Sequence, residues 1–259
     1  MCTLTILRNL NSCIVTMNRD ERIARHESGR LQEENHHSTT LIYPLDDKEL
    51  GTWVAANSHG MVGCLLNRYQ SSHAEDKISR GKLIPLALQN NNIDEAAQSI
   101  LALDLNEYNP FDLFLIDTKR TLHLQWGGDS NNADFVNEAE LVSDKEFIEI
   151  ETSEFMFSSS SLKTEEVLSY RKVQFDHWLQ NFKSEKTTNQ LVSQSILKSF
   201  HSKQDVRYKT HAVLMEREHS HTKSISQIEI GTDEVRVDYY PKVLLSGLHT
   251  PVIKVLNLS

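Results

Sequence analysis

Two runs rich in Thr, Val, Ile and Leu open the chain, residues 2–8 (CTLTILR) and 12–18 (SCIVTMN), with only Asn9, Leu10 and Asn11 between them. β-Branched residues are stiff at χ1 and pack well on a pleated surface. A short Asn-bounded break between two such runs turns the chain back on itself. The pair reads as a β-hairpin, which commits the amino end to a sheet. Cys2, directly after the initiator methionine, then begins a strand, one hairpin away from Asn18-Arg19-Asp20-Glu21.

Further along, residues 22–50 are polar, with His36-His37 and Asp46-Asp47, and read as a long surface excursion. Residues 51–57 and 60–67 form a second strand pair around Ser58-His59-Gly60. Helices are expected over 79–90 and 94–103, the second Ala- and Leu-rich with acidic residues in its first turn. A third hairpin spans 111–116 and 121–126, while 127–150 is too mixed in composition to assign. A strand at 154–159, helices over 163–182 and 188–200, and strands at 211–217, 224–230 and 234–240 complete the chain. Runs of strands joined by hairpins, with helices segregated from them, indicate an α+β protein of antiparallel sheets rather than a doubly wound parallel one. Without an internal repeat or a convincing linker, residues 1–259 are expected to form a single domain.

Composition narrows the function classes. A formal net charge of −9 and the lack of any Lys/Arg run exclude the electrostatic footprint of a nucleic-acid binder. Cys2, Cys13 and Cys64 are an odd, sparse set that argues against a disulfide framework and for a reducing compartment, so the expected location is cytoplasmic. No basic segment followed by an apolar one reads as a secretion signal, and no apolar stretch has the length of a membrane span.

The chemistry is concentrated at the amino end. Removal of Met1, which the small side chain of Cys2 permits, gives one residue a thiol with a reference pKa of about 8.5 and an α-amine at about 7.7 to 8.0. The amine can take the thiol proton and return it to a departing amine, so a single residue supplies nucleophile and base. A nearby guanidinium favours the thiolate and a carboxylate orients the ammonium, roles suited to Arg19 and Asp20. Neighbouring side chains of a regular strand point to opposite faces, so both can approach Cys2 only if the strand bulges or ends there. Otherwise Asn18 shares a face with Asp20, and Glu21, beside Arg19, is the alternative carboxylate. The same residues also read as a surface charge cluster, with Cys2 a small apolar residue at a strand start.

Met-Cys-Thr at the start, Met17-Asn-Arg-Asp-Glu21, Gly51-Thr-Trp53 and Asn67-Arg-Tyr69 together resemble the NRDE family, also called the transport and Golgi organisation protein family. The resemblance spans most of the chain and is strongest before residue 90. That family is similar to the choloylglycine hydrolases and penicillin V acylases. The resemblance therefore implies a four-layer αββα, N-terminal-nucleophile hydrolase-like sandwich of two antiparallel sheets flanked by helices. It also implies an amidohydrolase for linear C–N bonds that needs no cofactor, with Cys2 as nucleophile. Residues 57–67 are similar in spacing to the hydrolases' strand-turn-strand segment, whose closing asparagine donates to the oxyanion; that position is Asn67, which reads equally as a strand-end cap.

Two departures bear on hydrolysis rather than fold. Phe157-Ser-Ser-Ser-Ser161 leaves Ser159 where the relatives have an asparagine. Arg207-Tyr-Lys-Thr-His211 resembles the family's Tyr-Gly-Thr-Arg segment, leaving His211 at the arginine position with Arg207 and Lys209 nearby. Family members are also linked to intracellular haem trafficking and to lipid metabolism. The competing expectation is thus a noncatalytic carrier of haem or another amphipathic ligand. In either case the ligand-binding candidates are Asn18, Trp53, Asn57, Tyr69, Ser159 and His211, with Met61 able to contribute to an apolar cleft. Neither His36-His37 nor His219-Ser-His221 has partners at a recognised metal spacing, and Arg80-Gly-Lys82 lacks the upstream glycine of a phosphate loop.

Overall fold

The computed structural model describes residues 2–69, 73–127, 146–182 and 189–259. Its strands, in chain order, are β1 (Cys2–Arg8), β2 (Cys13–Arg22), β3 (Leu31–His36), β4 (Thr39–Pro44), β5 (Val54–Asn57), β6 (Val62–Asn67) and β7 (Phe111–Ile116). There follow β8 (Thr121–Trp126), β9 (Phe147–Glu149), β10 (Glu154–Ser159), β11 (Ser220–Ile230), β12 (Glu234–Pro241) and β13 (Val252–Asn257). The helices are α1 (Leu83–Leu88), α2 (Ile93–Leu101), α3 (Thr164–Phe182), α4 (Asn189–Ile196) and the short α5 (Val243–Ser246).

All the ladders are antiparallel. They build a six-stranded sheet in the order β10-β1-β2-β11-β12-β13 and a seven-stranded sheet in the order β3-β4-β5-β6-β7-β8-β9. The alternation expected of the opening hairpin decides how the sheets stack. Cys2, Leu4 and Ile6 of β1 and Val15 and Met17 of β2 face the second sheet, where they meet Val54, Val62, Leu66 and Phe114. Burying each large aliphatic side chain there contributes about 1.5–3 kcal/mol. On its far side the second sheet packs against α1 and α2 through Leu83, Ile84, Leu88 and Ile100. The far side of the first sheet carries Leu7 and Ile14 against Phe175 and Trp178 of α3. The result is a helix–sheet–sheet–helix stack with the main core between the sheets.

Three segments depart from expectation. The stretch 22–50 is not a surface excursion throughout, because β3 and β4 pair within it and extend the second sheet. As an edge strand β3 exposes one side, and Leu31-Gln-Glu-Glu-Asn-His shows no apolar alternation to read. Residues 211–217 are turns rather than a strand: Ala212, Val213, Leu214 and Met215 are buried by packing over the first sheet, not by a ladder. The sixth strand of that sheet is instead β13, at the carboxyl end. Elsewhere the helix expected over 79–90 is a 3-10 turn, Arg80–Lys82, leading into α1, and the one over 188–200 ends in a π turn, Leu197–His201. Most of the unassigned stretch 127–150, and the start of the helix expected over 188–200, lie outside the described residues.

One contact between glycines holds the entry to β5. The Thr52 N–H donates to Gly81 O at 3.0 Å, and a Cβ on Gly51 would sit 2.7 Å from the Gly81 carbonyl carbon. Gly51→Ala must therefore push two backbones apart, at a cost of about 1–3 kcal/mol, read as a lower urea midpoint. Gly29→Ala, where an added Cβ meets nothing within 4 Å, is expected to leave that midpoint nearly unchanged.

Candidate functional site

Cys2 lies buried at the first position of β1, directly opposite Arg19 on β2 and Ser159 on β10. Directly opposed residues share a face, so Ser159, Cys2 and Arg19 form one row that looks toward the second sheet. The Arg19 guanidinium is buried between two carboxylates: Nη1 donates to Glu27 Oε2 at 2.6 Å, and Nη2 donates to Asp46 Oδ2. The Trp53 ring lies against it, 4.2 Å from centroid to the guanidinium carbon, an arrangement that suits a desolvated arginine. Arg25 Nε also donates to Asp46 Oδ2, at 2.8 Å, and the Tyr239 hydroxyl donates to Glu27 Oε1 at 3.1 Å.

Asp20 is on the other face. Its Oδ2 accepts from Arg171 Nη2 at 3.2 Å and its Oδ1 from Thr222 Oγ1 at 2.6 Å. Arg171, wholly buried, also donates to Thr3 Oγ1 at 2.7 Å, Ser158 Oγ at 2.9 Å, Ala212 O at 2.9 Å and His211 O at 3.0 Å. The strand neither ends nor bulges at Arg19-Asp20. The irregularity lies across from it, where Lys223 is the extra residue of β11 between the partners of Asp20 and Arg19. What reaches the sulfur from Asp20 is its backbone N–H.

The charges differ from expectation as well. Burial pushes the Cys2 thiol above its usual value, and neither the Asp20 N–H nor Arg19 reverses that. The Asp20 charge acts in the same direction as burial, and Arg19 is itself paired with two acids. Burial raises Glu27 against the pull of Arg19. Burial acts the same way on Asp46, but there the Arg25 hydrogen bond and the Arg19 charge prevail and hold the carboxyl below its usual range. Glu21, the alternative carboxylate, is 3.9 Å from Arg25 Nε and accepts from the Arg22 N–H at 2.8 Å. The acids on Arg19 are Glu27 and Asp46, from the stretch read as a surface excursion.

The remaining candidates divide by position. Trp53 and Ser159 belong with Cys2 in the inter-sheet layer, and among the described residues the Trp53 Nε1 and Ser159 Oγ atoms are buried without a hydrogen-bond partner. Asn67 ends β6; its Nδ2 is 3.5 Å from the Tyr69 hydroxyl, and by alternation it shares a face with Leu65. Asn57 holds the β5–β6 turn: its Oδ1 accepts from the His59 and Met61 N–H groups, and its Nδ2 donates to Leu88 O at 2.9 Å. Asn18 is on the helix side of the sheet, its Nδ2 donating to His201 O and Val213 O, both at 2.9 Å. The His211 imidazole is also on that side, beside Thr210 Oγ1 and Glu166. Met1 lies outside the described residues.

Sequence reasoning missed Glu27, Asp46, Arg171 and His201. Arg171 had a signal, because it shares a buried helical stripe with Val167, Phe175 and Trp178, and an arginine in such a stripe needs an acid partner. His201 sits in the π turn, with Nδ1 donating to Asn18 Oδ1 at 2.6 Å and Nε2 accepting from Thr5 Oγ1 at 2.7 Å. Burial, helped by the Arg171 charge, lowers its pKa to about 3 from an ordinary 6.5.

The neutral imidazole is therefore favoured by folding. Its contribution is complete above pH 6.5 and is lost as pH falls through that value toward about 3. The urea midpoint is expected to drop over that window, and to drop less steeply in His201→Gln.

The profile of the family described as TANGO2, Transport and Golgi organisation 2, matches residues 1–241. A search of curated proteins gives no match. Among solved structures, a Caenorhabditis elegans ortholog of N-acylethanolamine-hydrolyzing acid amidase superposes with a TM-score of 0.57 at 13% identity, covering 88% of this chain and 92% of that one. Two variants of conjugated bile acid hydrolase from Clostridium perfringens also match at 10% identity: one with a TM-score of 0.49 over 99% of this chain and 96% of that one, the other with 0.48 over 100% and 97%. At such identities the likeness is one of fold.

Proposed function

Because this chain belongs to the Transport and Golgi organisation 2 family and begins its first sheet with Cys2 between Arg19 and Ser159, we propose that it is an N-terminal-cysteine amidohydrolase acting on linear N-acyl amides. The observation that supports this most directly is the buried Ser159 Oγ, directly opposite Cys2 and, among the described residues, without a hydrogen-bond partner. Buried polar groups are nearly always hydrogen-bonded, and a buried donor left open beside a nucleophile awaits an acceptor. A carbonyl oxygen becoming an oxyanion is such an acceptor. The amidase named among the structural neighbours cleaves an N-acyl amide, which agrees with the reading.

In this mechanism Met1 is removed and the Cys2 α-amine takes the thiol proton. The thiolate attacks the amide carbonyl carbon, and Ser159 Oγ donates to the oxygen that gains charge. Asn67, at the end of β6, shares its face with Leu65 on the α1–α2 side of the second sheet, so its side chain takes no part in this step. The ammonium gives its proton to the departing amine, and water cleaves the thioester with the α-amine again as base. Arg19 acts by position, since its charge is matched by Glu27 and Asp46. The Asp20 N–H orients the sulfur. Because burial raises the thiol, proton transfer to the amine has to accompany attack.

The carrier reading gains no such support. Its proposed haem contact, His211, faces Glu166 and the rings of Tyr170 and Tyr208 rather than the inter-sheet face. Among the described residues no helix is long and apolar enough to cross a membrane, and no group of three or more His, Cys, Asp or Glu side chains is arranged to hold a metal.

Amine release from a panel of N-acyl amides tests the proposal. Intact mass is expected to lack Met1, and Cys2→Ala to abolish turnover. Ser159→Ala is expected to lower kcat about 10²-fold with little change in KM. A retained Met1, or unchanged turnover in Cys2→Ala, ends the proposal.

A further inference from the structure

A cavity of about 310 Å³ opens on the far side of the first sheet from Cys2, between α3 and the π turn that follows α4, and the proposed reaction makes no use of it. That volume is at the lower end of the about 300–1,000 Å³ of ligand sites, so the occupant is a small molecule. Much of the wall is aromatic. Tyr170, Trp178 and Phe182 line it from one stripe of α3, and Phe200 lines it from the π turn. Trp178 and Phe182 stack with centroids 5.1 Å apart and planes 12° apart. The Trp178 Nε1 already donates to Ser195 Oγ at 3.2 Å, so the indole offers the cavity carbon surface.

Two opposite charges, Lys203 and Asp205, line the same cavity. Among the described residues the Lys203 side chain makes no hydrogen bond or ion pair. The Asp205 carboxylate is met by neutral donors: the Tyr170 hydroxyl on Oδ2 at 2.6 Å, and the Arg207 and Tyr208 N–H groups on Oδ1 at 3.0 and 3.2 Å. These hydrogen bonds, Tyr170 foremost, hold the carboxyl below its usual range and keep it ionised at neutral pH. The imidazole on the wall, His177, lies 3.3 Å from Asn181 Nδ2. An ammonium and a carboxylate that share a wall without pairing match a ligand that carries both charges, and a ligand with one charge leaves the other pole unmatched. The aromatic surface beside them matches a flat apolar group.

We infer that this cavity binds a free α-amino acid with an aromatic side chain, its carboxylate on Lys203, its ammonium on Asp205 and its ring against Trp178, Phe182 and Phe200. The site stands apart from the amidohydrolase reading, because no residue of the Cys2 row lines it.

NMR relaxation of ligand protons, followed as the full chain is titrated, supplies the test. L-Phenylalanine is compared with phenylacetate, which lacks the ammonium, with phenethylamine, which lacks the carboxylate, and with alanine, which lacks the ring. L-Phenylalanine is expected to bind saturably and about tenfold more tightly than each of the three. Lys203→Gln and Asp205→Asn are each expected to weaken it about tenfold at an unchanged urea midpoint. Phenylacetate or phenethylamine binding as tightly as L-phenylalanine overturns the assignment, as does affinity that survives both substitutions or the absence of saturable binding up to the solubility limit. Should Asp205→Asn lower the midpoint, the ligand comparison on the unaltered chain decides the matter by itself.

Discussion

A guanidinium buried between two carboxylates and an indole ring joins the two sheets at the Cys2 end. Arg19 comes from the central hairpin of the first sheet, Trp53 from the entry to β5, and Glu27 and Asp46 from the segments on either side of the β3–β4 hairpin. Desolvating these charges is costly, and their attraction offsets the cost only while every partner is in place. Removing one member of a buried pair typically costs about 3–5 kcal/mol because it strands the other. The cluster therefore specifies one arrangement of the sheets and, through the register of β1 on β2, the location of Cys2.

The reverse side of the same hairpin is organised by a second buried cation. Arg171 gathers Thr3, Ser158, Asp20 and two carbonyls of the 211–212 turn, while His201 and Asn18 fill the next position along the sheet. Strand alternation thus divides the Asn-Arg-Asp run: Arg19 serves the inter-sheet face, and Asn18 and Asp20 serve the helix face. Asp20 reaches the Cys2 sulfur through its main chain, and its carboxylate ties the strand to α3. Beside the sulfur stands a fixed N–H, while burial raises the thiol above its usual value.

Much of the architecture was legible from local pattern. The hairpins at 111–116 and 121–126, the strand at 154–159 and the opening pair all carry β-branched or alternating apolar residues with turn residues between them, and each forms where expected. The segments that misled were those where local pattern and tertiary role diverge. The strand β3 is charged because it is an edge, and residues 212–215 are apolar because they are covered without pairing.

The sequence by itself determined the hairpins, the segregation of helices from strands, the family resemblance and the placement of a cysteine where it can begin a strand. Those are properties of a few consecutive residues, set by χ1 stiffness, alternation and turn chemistry. Only the tertiary structure decided which acids meet Arg19, that Arg171 holds Asp20, and that, among the described residues, the buried Ser159 hydroxyl opposite Cys2 has no hydrogen-bond partner. Each of these is a contact between residues far apart in the chain, created when two sheets stack and bury charge. Their energies depend on desolvation and on partners that no local stretch of sequence contains.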